Sequence, residues 1–188
     1  LEHLKKHFDI TSLLYCINSK ANDTLYDQEI ICYDGKTFIM EEMEGLNFKI
    51  NAKSFFQTNT EQAYELYKIT RDFAGLEGKE LVYDLYTGTG TIAQFIAKDC
   101  NRVVGVESVP EAIEAANTNA KENGIKNAFF EVGDMRRVFN QDFINRHGKA
   151  DVVIADPPRN GMHPAVVKQL LFLQPEKIVY VSCNPSTQ

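Results

Sequence analysis

Residues 81–93 read Leu81-Val82-Tyr83-Asp84-Leu85-Tyr86-Thr87-Gly88-Thr89-Gly90-Thr91-Ile92-Ala93, and this stretch decides the fold class. A short apolar run breaks into a glycine-rich turn and then into a helical pattern. Glycines there let the backbone turn tightly and approach a ligand, and the N–H groups of the following helix point into the same crevice. Downstream, the apolar runs 103–106, 128–132, 152–155 and 178–181 are short, nearly continuous and β-branched. Strands buried on both faces of a parallel sheet look like this. Helical segments separate most of them. The clearest is 110–123, where Ser108-x-x-Glu111 reads as a capping box and Pro110 suits the first turn. Ala112, Ile113, Ala116 and Ala120 face inward, and Gly124 is the stop. A second helix is predicted at 164–173. Five strands with crossovers predict an α/β fold with a doubly wound, Rossmann-like, mostly parallel sheet.

Working outward, residues 59–74 predict a helix. Thr58 with Glu61, or Asn59 with Gln62, offers its cap; Ala63, Tyr67, Thr70 and Ala74 share a face, and Gly75 ends it. Residues 1–50 read as a small antiparallel element with strand-like runs at 11–17 and 46–50. Residues 29–33 and 36–40 flank Asp34-Gly35, a strong hairpin signal. The expected organisation is therefore 1–50, a linking loop and helix at 51–78, and a ligand-binding domain at 79–188.

The 188 residues are 44% hydrophobic and 24% charged, which excludes disorder, collagen and coiled coil. No apolar run nears the ~18 residues of a membrane span, and no signal core follows the N-terminus. Cys16, Cys32, Cys100 and Cys183 form no CxxC pair. That scatter suits a reducing cytoplasm and predicts no metal site. The net charge of -6 leaves no basic excess to advertise nucleic-acid binding. The cluster Arg136, Arg137, Arg146, His147, Lys149 and Arg159 reads, on charge pattern alone, as a solvated face. The chain begins without Met and stops just after a strand-like run, so the expectation is an excised, C-terminally truncated piece of a longer protein.

Gly88-x-Gly90-x-x-Ala93 also fits a dinucleotide fingerprint, so a nicotinamide cofactor is a rival reading. Asp84 argues against it, because a carboxylate at the strand end repels a pyrophosphate and attracts a cationic amino-acid moiety. Glu107, closing the second strand of the parallel set, can accept hydrogen bonds from ribose hydroxyls in either reading. Asp134, after the third, can meet an adenine amino group. Singly, each of these two acids reads equally well as a solvated loop residue. The ordered set of Asp84, Gly88, Gly90 and Glu107 points to S-adenosylmethionine. Strand four ends in Ala155-Asp156-Pro157-Pro158-Arg159 and strand five in Val181-Ser182-Cys183-Asn184-Pro185, so both loops overlook that crevice. The prolines stiffen the first loop behind Asp156. Cys16, Cys32 and Cys100 read as small buried hydrophobes. On position alone, Cys183 is open to a catalytic or a packing reading.

Ser54-Phe55-Phe56-Gln57-Thr58-Asn59, the 84–90 turn, Glu107, Asp156-Pro157-Pro158-Arg159 and Ser182-Cys183-Asn184-Pro185 together resemble the S-adenosylmethionine-dependent RNA uracil-C5 methyltransferases, particularly their ribosomal-RNA branch. The resemblance covers about 46–188, and 1–45 resembles the end of the family's central, RNA-contacting domain. It implies a methyltransferase sheet, RNA as partner, and cofactor contacts at Gln57, Tyr86, Thr91, Glu107, Asp134 and Asp156. Cys183 matches the nucleophile. Thr91 and Asp134 stand where other members often carry Asn. In the chemistry so implied, thiolate addition at uracil C6 makes C5 nucleophilic, and a base later removes the C5 proton. Asp156 is the candidate for holding the ring's polar edge. Phe55 has two readings, a base-stacking ring and, more commonly for phenylalanine, a core residue. The target base must leave its stack to be reached. The family's proton-abstracting glutamate follows the Ser-Cys-Asn-Pro motif, and its N-terminal RNA module and iron–sulfur cysteines precede this region. The resemblance therefore implies cofactor geometry with little turnover in this stretch alone. Strand 178–181 is expected to be an open edge that self-associates or is covered by the N-terminal element. Other readings are a methyltransferase acting on amino groups, against which Arg159 stands where an aromatic is usual, and a non-catalytic RNA-binding module.

Overall fold

The computed structural model describes residues 1–21, 25, 27–184 and 186. Its centre is a parallel sheet of β5 (Leu81–Leu85), β6 (Arg102–Glu107), β7 (Ala128–Val132), β8 (Val152–Ala155) and β9 (Lys177–Tyr180), in the order β7-β6-β5-β8-β9. The order reverses at β5, whose neighbours are β6 and β8. A crevice opens beyond the carboxyl ends of the strands at such a reversal. Helices α3 (Thr91–Ile96), α4 (Pro110–Glu122), α5 (Gln141–His147) and α6 (Pro164–Leu173) form the successive crossovers. The predicted doubly wound sheet is present, all five strands overlapping their expected positions.

Strand alternation splits the core in two. Val82, Val103, Val152, Ile154 and Val179 face a cluster with Phe95, Ile96 and α2 (Thr60–Ala74). Tyr83, Leu85, Val104, Val106, Val153 and Ala155 face a second cluster with Phe139, Phe143, Leu170 and Leu173. Helix α2 follows its sequence pattern: Ala63, Tyr67, Thr70 and Ala74 are buried, Asn59 caps the Gln62 N–H, and Gly75 closes the helix at φ 59°.

The N-terminal part departs from expectation. After α1 (Glu2–His7), β1 (Ser12–Tyr15) pairs with β2 (Ile31–Gly35), and β3 (Phe38–Met43) pairs with β4 (Leu46–Asn51). The segments around Asp34-Gly35 therefore do not form the predicted hairpin. A two-residue type I′ turn needs φ > 0 at both central positions. Glu44 and Gly45 supply that, at 52° and 80°, whereas at the earlier site only Gly35 does. Gly35 serves a close approach instead: a Cβ there would lie 2.4 Å from the Thr11 carbonyl oxygen. The expected Ser108 box also fails. The α4 N-cap is Val109, because the Ser108 hydroxyl donates to Glu107 Oε1 at 2.9 Å.

The β3–β4 hairpin docks through two asparagines one helical turn apart on α4 and its end. Asn119 Oδ1 accepts from Lys49 N at 3.0 Å, and Asn119 Nδ2 approaches Lys49 O at 3.5 Å. Asn123 repeats the pattern on Asn47, at 2.8 and 3.0 Å. Each side-chain amide thus imitates a neighbouring strand for the outer edge of β4. Asn123 Nδ2 also donates to Gln94 Oε1, and Gln94 Nε2 to Thr89 O, so the chain of bonds ends in the glycine turn. No N-terminal strand pairs with β9 among the described residues.

Asn119 is almost fully buried, and Asn119→Ala leaves the Lys49 N–H and C=O without partners. The expected cost is ~1–3 kcal/mol. Hydrogen exchange at the Lys49 amide should accelerate well before exchange in β5; equal protection in variant and wild type contradicts this docking.

Candidate active site

Asp84 anchors the site. It is 1% exposed at the end of β5, with Oδ2 accepting from the Thr87 hydroxyl at 2.5 Å and the Ala93 N–H at 3.1 Å. Its Oδ1 has no hydrogen-bond partner among the described residues. Burial first, and the nearby Asp156 carboxyl, push its pKa up to about 7 against the favourable hydrogen bonds. A buried carboxylate with one idle oxygen is costly unless a donor or cation arrives.

Around it the turn is tightly constrained. Tyr86 sits at φ 62°, a left-handed conformation costing a non-glycine residue roughly 1–2 kcal/mol. Strain held at such a place is a marker of function. The two glycines, treated alike in the sequence reading, differ in the structure. A Cβ on Gly90 would meet Phe130 at 2.6 Å and Ala116 at 2.9 Å, so that glycine serves helix–sheet packing. A Cβ on Gly88 would meet nothing within 4 Å, so this is the glycine with space for a ligand. Thr91 is buried in the first turn of α3, its hydroxyl 3.3 Å from that of Thr89.

Glu107, closing β6, reaches the same turn: Oε2 accepts from the Gly88 N–H at 3.3 Å, while Oε1 takes Ser108 N at 2.6 Å and Val109 N at 3.1 Å. Asp134 follows β7 and is forked by Arg136, with Nη2 to Oδ2 at 2.8 Å and Nε to Oδ1 at 3.0 Å. That guanidinium holds the Asp134 carboxyl down at about 2. Asp156 leaves β8 with its N–H directed to Leu85 O at 3.3 Å, and burial raises its carboxyl to about 6. By strand alternation from Val152 and Ile154, Asp156 lies on the α2 side of the sheet, as Asp84 does. Beyond β9, Val181 N continues the ladder to Ala155 O at 2.8 Å, and Asn184 Nδ2 approaches Arg159 O at 3.5 Å. Cys183 is thereby brought to the same end of the sheet as Asp156, and its thiol is exposed. Gln57 precedes the cap of α2 and is half-buried. Pro185 lies outside the described residues.

Several expectations are corrected here. Cys32 is exposed, its thiol near the carbonyls of Asp34 and Gly35, and Cys16 is only half-buried; of the three presumed packing cysteines, Cys100 alone is buried, its thiol raised to about 12. Phe55 is 65% exposed and is no core residue; Phe56 packs against Phe48 instead. The basic cluster, by contrast, keeps its expected character: Arg136 and Arg146 are exposed, as a solvated face requires, and its members pair separately, Arg136 with Asp134, and Arg146 and His147 with Glu131. Thr87, bonded to Asp84, and Tyr67, which feels its charge, are site residues that the sequence does not mark, Tyr67 reading there only as part of a helix face. Their types match core and turn residues, and only their level along the strands reveals them.

Residues 27–188 match the model of the family described as tRNA (uracil-5-)-methyltransferase. An uncharacterized RNA methyltransferase of Porphyromonas gingivalis is 63% identical over 179 residues, 95% of this chain and 38% of that protein. One from Bacteroides thetaiotaomicron is 62% identical over 96% of this chain and 40% of its own length. The chain thus spans about two fifths of the curated relatives it matches. Among solved structures, the Pyrococcus abyssi tRNA (uracil-54, C5)-methyltransferase in complex with S-adenosyl-L-homocysteine superposes with a TM-score of 0.78 at 38% identity, over 98% of this chain and 44% of that one.

The raised Asp84 carboxyl has a stability consequence with a definite sign. The folded state holds the proton more tightly than an ordinary Asp near 4, so it binds more protons than the unfolded state as pH rises from about 4 to about 7. Stability from this group is therefore present at low pH and lost across that window. Asp84→Asn imitates the protonated form, with its amide nitrogen in place of the idle oxygen. Relative to wild type, the variant should gain stability between pH 5 and pH 8 in urea unfolding. A difference that does not change with pH contradicts the assignment.

Proposed function

The chain belongs to the tRNA (uracil-5-)-methyltransferase family, and from that premise we propose that the protein is a cytoplasmic enzyme transferring a methyl group from S-adenosylmethionine to C5 of a uridine in RNA, ribosomal RNA being the proposed substrate class. The observation that supports this most directly is the convergence of the idle Asp84 oxygen, the open side of Gly88, the Glu107 carboxylate and the exposed Cys183 thiol at one end of the sheet.

These residues fit the cofactor. Asp84 Oδ1 suits its ammonium, and Glu107, already beside the Gly88 N–H, suits the ribose hydroxyls. Asp134 can meet the adenine amino group by sharing its carboxylate with Arg136. Gln57, Tyr86, Thr91 and Asp156 complete the proposed pocket. Bound there, the cofactor supplies an electrophilic methyl on a sulfonium. A nicotinamide cofactor would instead bring a pyrophosphate against the Asp84 carboxylate, whereas Glu107 suits ribose hydroxyls in either reading. Thermal shift with S-adenosylhomocysteine against NAD separates these readings.

The acceptor needs activation because uracil C5 is a weak nucleophile. The Cys183 thiolate forms a bond to C6, and the C5–C6 π pair shifts to give an enolate nucleophilic at C5. After C5 gains the methyl, its proton leaves to a base, the π bond re-forms and the thiolate departs. In this reading Asp156 faces the cofactor pocket with one carboxyl oxygen; the other, on a group that retains its proton more readily than an ordinary carboxylic acid, is suited to hydrogen-bond the polar edge of the ring. The exposed Phe55 ring offers a stacking surface for an unpaired base.

Cys183→Ala in the full-length enzyme should abolish methylation and leave S-adenosylhomocysteine affinity within about twofold. Substantial remaining activity removes Cys183 from the mechanism. Mapping the nucleotide that loses its C5 methyl on gene deletion decides the substrate: a ribosomal position supports the proposal, and a transfer-RNA position moves it to the substrate in the family's description.

We also propose that the 188-residue chain self-associates through β9. Its outer edge is unpaired among the described residues, with Ile178, Leu171 and Phe172 exposed on the α6 side and Ile69 and Phe73 on α2. Light scattering should show mass rising with concentration and Ile178→Lys reversing it. A monomer throughout contradicts this.

A further inference from the structure

Tyr67 is a buried polar residue that the site as described leaves unused. It is 4% exposed on the inward face of α2, its ring 6.0 Å from that of Phe95. No hydrogen bond from its hydroxyl occurs among the described residues. Its level in the fold follows from simple lengths. Lys177 Nζ donates to Ala74 O at 2.7 Å, which ties the end of α2 to the start of β9. Tyr64 meets Phe95, and Arg71 meets Asp99 further along the crossover that descends from β5 to β6, so the helix runs antiparallel to the strands. Tyr67 lies two turns earlier, roughly 10 Å up the helix at 1.5 Å per residue. Three residues of β9 rise by about the same amount. The Tyr67 phenol therefore stands level with the carboxyl ends of β8 and β9, on the sheet face that carries Asp84 and Asp156. Consistently, its proton is held more tightly by burial first and then by the Asp156 and Asp84 carboxyls.

We propose that Tyr67 is a cofactor-binding residue whose hydroxyl joins Asp84 and Asp156 as a third oxygen around the cofactor's α-ammonium group. This rests on the cofactor reading above and adds a residue that neither the glycine turn nor the loop motifs contain. A neutral phenol fits the place: it can donate its proton to one carboxylate while its oxygen accepts from an ammonium N–H. Two carboxylates alone, close together and buried, repel each other; a donor between them reduces that repulsion while adding to the cage.

The test is calorimetry on the full-length protein, wild type and Tyr67→Phe, with S-adenosylhomocysteine and with its deaminated counterpart lacking the α-amino group. Tyr67→Phe keeps the ring packed against Phe95. It should weaken S-adenosylhomocysteine about five- to tenfold, as loss of one hydrogen bond does, and leave the deaminated ligand unaffected. Equal affinities for S-adenosylhomocysteine overturn the inference. An equal loss with both ligands also overturns it and makes Tyr67 a packing residue. Should Tyr67→Phe lower the unliganded unfolding midpoint, Tyr67→Leu read by the same ligand ratio decides. A wild type that binds neither ligand overturns the cofactor reading itself, a result distinct from all of these.

Discussion

A carboxylate buried beneath the glycine turn is the constraint on which this structure is arranged. Asp84 is placed by the end of β5, and its partners are the turn's own Thr87 hydroxyl and the first turn of α3. Those two contacts tie strand, turn and helix to one oxygen and leave the other idle. Burying a carboxylate this way is unfavourable, and burial accordingly raises its hold on a proton. The arrangement makes chemical sense when a cation completes it. The strained Tyr86 backbone, the open side of Gly88 and the approach of Glu107 belong to the same turn as that idle oxygen.

The same turn is linked to the N-terminal hairpin. Asn47 and Lys49 are held by Asn123 and Asn119, and Asn123 continues through Gln94 to the Thr89 carbonyl. The β3–β4 hairpin is thus fastened to the turn proposed to hold the methyl donor.

The fold was legible wherever one residue pattern decided one element. The β-branched runs gave the five strands, but burial on both faces holds only for β5, β6 and β8, since the edge strands expose Phe129, Val132 and Ile178. Ala63, Tyr67, Thr70 and Ala74 gave the inward face of α2. Legibility failed where two local signals competed. Asp34-Gly35 has the composition of a hairpin turn, yet the chain turns at Glu44-Gly45, and Gly35 is spent on the approach of Thr11. Ser108 has the spacing of a cap, yet Glu107 takes its hydroxyl. In the site, the motif residues could be named from sequence, but the division of labour between Gly88 and Gly90 could not. It depends on Phe130 and Ala116, which are distant in sequence. Tyr67 was legible as a buried residue and illegible as a site residue, since helical periodicity gives a face and not a height.

The central claim is that the idle Asp84 oxygen awaits a cation, and proton release on ligand binding tests it most directly. Calorimetric titration of S-adenosylhomocysteine at pH 6, in buffers of different ionisation enthalpy, counts the protons exchanged. With its carboxyl raised to about 7, Asp84 is mostly protonated at that pH, and an arriving ammonium should drive it to ionise. The account predicts a net release approaching one proton, fading above pH 8 and greatly reduced in Asp84→Asn. Tight binding with no proton released by the wild type, or the same release from the variant, would contradict it.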